Sequence, residues 1–136
     1  MRRRLALLVV ALWAGVLVTV CALVAPTLFA LLPDRHLAGS VAAAFFRAAA
    51  WLGVGAATLV VALRAKMNRS PEWLLIGITV LAPVSSELLL RPYMDAAQLA
   101  GDSGRFALLH GVAGILFVVA CVTSLALVWR LTRPEG

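Results

Sequence analysis

Charge is what this sequence has least of. Only 13% of its 136 residues are charged, and 63% are hydrophobic, whereas a soluble domain is about 25% charged and about 45–50% apolar. So few polar side chains cannot cover a globule in water, which excludes an ordinary soluble domain. At about 20 residues per membrane-spanning helix, the length allows four spans with short loops and leaves no room for a separate catalytic domain.

Residues that hold metals and cofactors are also scarce. The chain has two cysteines and two histidines. Cys21 and Cys121 lie in apolar runs without CxxC or CxxCH spacing, which argues against a zinc site or a covalently attached haem. Haem b would need two intramembrane histidines, but His36 falls in a predicted loop and only His110 falls in a span. No ligand spacing supports copper, and we predict neither a metal nor another cofactor.

Motifs for catalysis and for nucleic-acid binding are missing as well. The sequence contains neither a GxSxG elbow nor a Ser/His/Asp order. Its net charge of +6 does not come from a basic patch interleaved with aromatic residues. We therefore predict a protein that is not an enzyme and does not bind nucleic acid.

What the sequence has instead is four long apolar stretches between its charged residues. In lipid each must be a helix, because an open strand would leave backbone groups unpaired. The predicted spans cover residues 5–32, 37–63, 73–90 and 106–129. The first is much longer than the apolar core of a signal peptide, about 7–15 residues, so we expect it to be retained.

The links between these stretches are short and carry helix-capping residues. Pro33-Asp34 ends the first span, Ser70-Pro71-Glu72 precedes the third, and Asp102-Ser103-Gly104 precedes the fourth. Short links make consecutive helices antiparallel neighbours. The sequence thus predicts one membrane domain over residues 1–136, an all-α integral-membrane up-down four-helix bundle whose surroundings are the lipid bilayer.

Lysine and arginine are distributed unevenly between the two sides. Eight flank one side and three the other: Arg2, Arg3, Arg4, Arg64, Lys66, Arg69, Arg130 and Arg133 against Arg35, Arg91 and Arg105. The more basic side of a multi-pass protein faces the cytoplasm, so both termini are predicted to be cytoplasmic. Short loops and nearly charge-free spans favour a plasma membrane of the bacterial inner-membrane kind.

Four polar residues interrupt the apolar runs at similar depth. Counted from the cytoplasmic ends, Arg47, Glu87, Arg91 and His110 lie about 21 to 28 Å along their helices. A charge inside a span is costly and usually faces the bundle interior or water. We expect Glu87 to contact Arg47, with Arg91 one turn above it and free to extend toward the headgroups.

Two interpretations of this cluster stay open. In one, Arg47, Glu87 and His110 line an outward-facing site for a small solute, ion or metal. In the other, Arg47 and Glu87 form an ion pair that fixes helix register, and the protein is a structural or assembly partner of other membrane proteins. A homo-oligomer is a further option, because small residues suit close helix packing.

Other features of the spans concern helix packing. Pro26 and Pro83 are predicted to kink their helices. The stripe Ala49, Gly53, Ala57 suits close packing within the fold or between copies. Cys21 and Cys121 are predicted to lie at different depths, about 24 Å and about 12 Å from the cytoplasmic ends, and so to stay unlinked.

Several short motifs together resemble a known family. They are Ala25-Pro26-Thr27-Leu28-Phe29-Ala30-Leu31-Leu32-Pro33, Leu37-Ala38-Gly39, Phe45-Phe46, Leu90-Arg91-Pro92 and Arg105-Phe106 leading to His110-Gly111. This set is similar to the small four-helix membrane proteins resembling vertebrate transmembrane protein 205, over nearly the whole chain. The resemblance implies four spans, largely unassigned biochemistry, a loose link to platinum-drug resistance in vertebrate members and no catalytic residues. Relatives often have an asparagine soon after the histidine-glycine pair, where this chain has Ile115, Leu116 and Phe117.

Overall fold

Four long helices dominate the computed structural model, which describes residues 1–64 and 72–133. Each is long and apolar enough to cross a membrane: Arg2–Leu31, Arg35–Leu63, Glu72–Leu99 and Ser103–Thr132. We call them spans 1 to 4. The described residues contain no strand, so the predicted all-α four-helix membrane fold is confirmed. The predicted Ser70-Pro71 cap and two cations of the orientation count, Lys66 and Arg69, lie outside the described residues.

Two of the spans are interrupted by a π turn. The elements are α1 (Arg2–Thr19), a π turn (Val20–Val24) and α2 (Ala25–Leu31) in span 1, α3 (Arg35–Arg64) in span 2, α4 (Glu72–Ser85), a π turn (Ser86–Leu90) and α5 (Arg91–Leu99) in span 3, and α6 (Ser103–Thr132) in span 4. Each π turn ends two residues before a proline, Pro26 or Pro92. The wider turn accommodates a residue that lacks a backbone N–H and would otherwise break the helix.

The third span therefore runs further than the sequence predicts. Residues 91–105 were expected to form the link to the fourth span, since charged residues such as Arg91 set the predicted span boundaries, but Arg91–Leu99 is helical. Pro92 lies in the first turn of α5, where a missing N–H costs little. Of the two predicted kinks, Pro26 lies in the first turn of α2, directly after a π turn. Pro83 lies inside α4, with a π turn starting three residues later.

The two described links are tight and capped as predicted. Asp34 Oδ1 accepts hydrogen bonds from the backbone N–H groups of His36 and Leu37, at 2.8 and 3.3 Å. Asp102 Oδ1 accepts one from the N–H of Arg105 at 2.9 Å. Gly101 has a φ of +70°, the left-handed conformation that ends many helices and that glycine adopts without strain.

The bundle is closed at the end that carries the start of α1 and the finish of α6, which we call the terminal end. There Arg3 donates hydrogen bonds to the carbonyl groups of Leu131, at 3.1 Å, and Arg133. In this half α1 packs on α3 and α6, and α4 packs on α3 and α6. In the other half α2 packs mainly on α3, and α5 mainly on α6. Spans 1 and 2 thus form one hairpin, spans 3 and 4 another, and the two are in closest contact in the terminal half.

Close packing between spans 1 and 2 depends on small residues. The stripe Ala49, Gly53, Ala57 is buried, and Gly53 lies directly under the indole of Trp13, which is 4% exposed. The stripe therefore packs within the fold, one of its two predicted uses. On the outside, large apolar side chains such as Leu12 and Leu74 are exposed, as a lipid-facing surface requires. The protein is a multi-pass membrane protein by this architecture.

Cys21 and Cys121 are both free, as predicted, but their predicted separation in depth is wrong. Their side chains are near enough to interact between spans 1 and 4. Counting Cα rise assumed regular helices, whereas Cys21 lies in the π turn Val20–Val24, and side chains also lean toward the N-terminus of their own helix. In two antiparallel helices that lean brings Cys21 and Cys121 toward each other.

This contact predicts a crosslink. Because the two side chains are close, oxidation of the purified protein with copper-phenanthroline is expected to join Cys21 to Cys121, a crosslink that requires Cα atoms within about 7 Å. After denaturation both thiols should resist alkylation until a reductant is added. In the matched variant Cys121→Ser, the remaining thiol of Cys21 should stay open to alkylation. Full alkylation of the oxidised wild type would show that the two helices are not in this register.

Candidate functional site

A cavity of about 610 Å³ lies between the two hairpins in the half of the bundle away from the terminal end. Its walls come from all four spans. Phe46 of α3 and Phe117 of α6 meet edge to face, with ring centroids 4.5 Å apart, and both line the cavity. Since Phe117 also belongs to the buried core of the terminal half, this pair forms the floor.

Small residues leave space for the cavity, and polar residues form part of its lining. Gly39, Ala43 and Gly114 are wall residues without large side chains. The polar wall residues are Arg35, His36 and Ser40 of α3, Ser86 and Glu87 of the second π turn, Arg91, Asp95 and Gln98 of α5, and His110 of α6. The volume lies within the range of about 300–1,000 Å³ that is typical of small-molecule sites.

Glu87 is the centre of a three-residue ion cluster. Its Oε2 accepts a hydrogen bond from Arg47 Nε at 3.2 Å, and its Oε1 accepts one from Arg91 Nη1 at 3.4 Å. The Glu87 side chain is 9% exposed, against 24% for Arg91 and 54% for Arg47. The predicted Arg47–Glu87 contact is therefore present, and it ties α3 to the π turn of span 3.

The position of Arg47 differs from the predicted one. Arg47 was expected on the interior face of span 2, yet it does not line the cavity, and its neighbour on the same helical face, Trp51, is 53% exposed. The buried face of α3 is the one bearing Ala49 and Gly53, because small residues allow closest approach to α1. Arg47 thus reaches Glu87 from the outer flank of α3.

Arg91 also differs from expectation. Rather than extending toward the headgroups, it stays on Glu87, and its Nε is buried without a hydrogen-bond partner among residues 1–64 and 72–133. A guanidinium N–H that is buried and unpaired is costly. Neighbouring atoms shield Nε, but the Arg91 side chain as a whole is 24% exposed and lines the cavity.

His110 lines the cavity on the fourth span, as predicted. Its ring stacks on Phe106, with centroids 5.8 Å apart and an interplanar angle of 10°. Within the described part of the chain, no hydrogen bond joins it to Glu87 or Arg91. It is thus a polar wall group separate from the ion cluster.

Several wall residues were not predicted. Arg35 and His36 were assigned to a loop, and Asp95 and Gln98 to the outer link, but all four belong to helices that border the cavity. A signal was available: Glu87, Arg91 and Asp95 follow one another at four-residue spacing, which is the pattern of alternating charges along a helix. That pattern indicates that the helix continues beyond Pro92.

Metal-ligand chemistry is sparse in this region. The described residues contain no group of three or more histidine, cysteine, aspartate or glutamate side chains close enough to share an ion. The cavity instead offers guanidinium groups, an imidazole and aromatic rings. Those groups suit hydrogen bonding to an organic or oxyanion ligand.

The chain matches a family model described as a domain of unknown function, DUF4149, over residues 8–103. The match includes most of span 1, all of spans 2 and 3, and the Arg47–Glu87–Arg91 cluster. Neither the curated proteins nor the solved structures contain a match to this chain. Because the matched range is more than half of the sequence, the chain belongs to the DUF4149 family.

Proposed function

We propose that this member of the DUF4149 family is a non-enzymatic multi-pass membrane protein that binds a small solute in the cavity between its two hairpins. The observation that carries the proposal is the cavity itself. It lies in a bundle that is well packed in its other half, and it receives ionisable side chains from three spans. Such groups are expensive in hydrocarbon and mark solute pathways or binding sites.

The orientation belongs to the same proposal. Both termini are cytoplasmic in a plasma membrane of the bacterial inner-membrane kind, as the eight-to-three distribution of cations favours. The cavity lies in the half away from the terminal end, so in this orientation it faces the outer leaflet. The resemblance to transmembrane protein 205 agrees with the proposal in implying four spans and no catalytic residues.

A matched pair of glycine substitutions tests the cavity. Gly114 and Gly111 both lie on α6 with open space where a Cβ would stand, but only Gly114 lines the cavity. In native mass spectrometry from a mild detergent, we expect a bound small molecule on the wild type and on Gly111→Phe. Gly114→Phe should lose it, because the phenyl ring fills the space. A wild type without any bound species, or equal occupancy in all three proteins, contradicts the proposal.

A structural role is the second candidate, and the ion cluster favours it. The Arg47–Glu87 pair joins the two hairpins across their flank, which is what a register-fixing contact does, and such a bundle could present its outer faces to other membrane proteins or to a second copy. In that case the variants at Gly114 and Gly111 would behave alike. Native mass spectrometry would then show a second chain rather than a small ligand.

A further inference from the structure

We propose that the ligand of this cavity is an amphipathic anion, with a carboxylate or phosphate headgroup and a single short apolar chain. This inference rests on the proposed function and adds the chemical class of the solute. It follows from three properties of the cavity: a guanidinium on its wall, the balance of charge and an apolar floor.

The donor is the Arg91 guanidinium. It gives Nη1 to Glu87 at a long 3.4 Å, and the Arg91 side chain as a whole is still 24% exposed. Arg91 itself lines the cavity. Guanidinium groups bind carboxylate and phosphate oxygens with fixed geometry, so a headgroup of that kind would satisfy the donor.

The balance of charge favours an anion over a cation. Arg47 neutralises Glu87 from outside the cavity, so Arg91 on the wall shares a carboxylate that already has a partner and the cluster carries one excess positive charge. Of the other charged wall residues, Arg35 and Asp95 offset each other. A cationic ligand would have to compete with two arginines for Glu87, whereas an anion meets an unneutralised positive charge.

The floor of the cavity requires that the ligand have an apolar portion. Phe46 and Phe117 close the bottom of the cavity, and its narrow walls are built from residues such as Ala43 and Gly114. An inorganic anion would leave this surface in contact with water. A chain of several methylene groups would cover it and gain hydrophobic stabilisation.

The arginines that would bind the headgroup and the apolar floor that would bind the chain lie in the right order for such a ligand. Arg91 stands one helical turn beyond Glu87, away from the terminal end, and Arg35 lies at the beginning of α3 near the open end of the bundle. The phenylalanine floor is deeper. A ligand would therefore enter chain first and keep its headgroup toward the surface, as amphiphiles orient in a membrane.

The test compares ligands of one chain length and different headgroups. Octanoate, octyl phosphate and octyltrimethylammonium are titrated against the full-length protein in phosphatidylcholine nanodiscs by ligand-observed NMR, with empty nanodiscs subtracted. Octanoate and octyl phosphate are expected to bind at least tenfold more tightly than the ammonium compound. Native mass spectrometry of protein without added ligand distinguishes the sources: a copurified single-chain phospholipid indicates a membrane lipid, and its absence indicates a free amphiphile.

Arginine variants locate the headgroup. Arg91→Gln is expected to weaken octanoate binding at least tenfold, because it removes the donor while Glu87 keeps Arg47. Arg105→Gln is the matched control, since Arg105 lies near the same end of the bundle but does not line the cavity, and it should bind as the wild type does. Arg35→Gln leaves the Glu87 contacts intact and should weaken binding about threefold, which keeps the test decisive if Arg91→Gln does not fold.

The outcomes separate this inference from the proposed function. Unchanged octanoate affinity in both Arg91→Gln and Arg35→Gln, or equal affinity for the ammonium compound, overturns the anion assignment. If the ammonium compound binds and Gly114→Phe abolishes that binding, the cavity is a site but for another class of ligand. If Gly114→Phe changes the binding of no compound, the proposed function itself fails.

Discussion

Replacing Glu87 by leucine is expected to lower the free energy of unfolding by about 3 kcal/mol. The substitution leaves two guanidinium groups without their shared carboxylate, and it does so within an apolar bundle. Removing one partner of a buried ion pair lowers stability more than removing both partners, since an uncompensated charge remains. Arg47 is 54% exposed and can extend toward the headgroups, which keeps the loss near the lower end of the usual range.

The matched variant is Arg47→Leu. Its loss should be clearly smaller, about 1 kcal/mol, because Glu87 keeps its contact with Arg91 at 3.4 Å. Reversible unfolding in mixed detergent micelles, with increasing sodium dodecyl sulfate and helicity as the signal, gives both values. Equal losses in the two single variants would show that Arg91 does not hold Glu87.

The double variant Arg47→Leu with Glu87→Leu separates a register pair from a binding site. It should recover part of the stability lost in Glu87→Leu, with a coupling of about 1 kcal/mol, and the triple variant that also replaces Arg91 should recover more. A purely structural pair predicts normal ligand content once the fold is restored. A binding site predicts that the triple variant folds and still loses the ligand.

A second large effect is expected at Gly53. A Cβ at this position would stand 2.9 Å from Nε1 and 3.0 Å from Cζ2 of Trp13, closer than real side chains approach. The indole is 4% exposed, and its Nε1 has no hydrogen-bond partner in the described part of the chain, so its position is set by packing. Gly53→Val should therefore cost about 1–3 kcal/mol through overpacking, measured by the same unfolding titration.

Gly55 is the control for this substitution. It lies two residues further along α3, is exposed, and has open space at its Cβ position, so Gly55→Val should change the free energy of unfolding by less than about 0.5 kcal/mol. A smaller side chain at position 13 should relieve the overpacking. Trp13→Leu in the Gly53→Val background should therefore recover part of the lost free energy of unfolding. Equal effects at Gly53 and Gly55 would mean that spans 1 and 2 do not meet at this glycine.

The number, helical type and order of the four spans followed from the sequence alone. Few charges and four apolar stretches leave helices as the only spanning structure, because each backbone group must find its partner within the same segment. The caps at Asp34 and Asp102 followed from residue type and position. Depth was also informative: Arg47 and Glu87 were expected to meet because their helical rise from one side matches.

The tertiary structure decided which face of each helix is inside. The cost of a charge within a span placed Arg47 on an interior face. In the structure Gly53 of α3 packs on Trp13, so the small residues of α3 face α1 and Arg47 lies on the flank. The cavity likewise exists because the two hairpins separate in one half of the bundle. It cannot be predicted from the sequence of any single helix. The π turns let span 3 continue past Pro92, which brings Arg91 and Asp95 to the wall. Sequence periodicity assumes a regular helix, whereas these positions depend on local widening of the helix and on the fit between neighbouring spans.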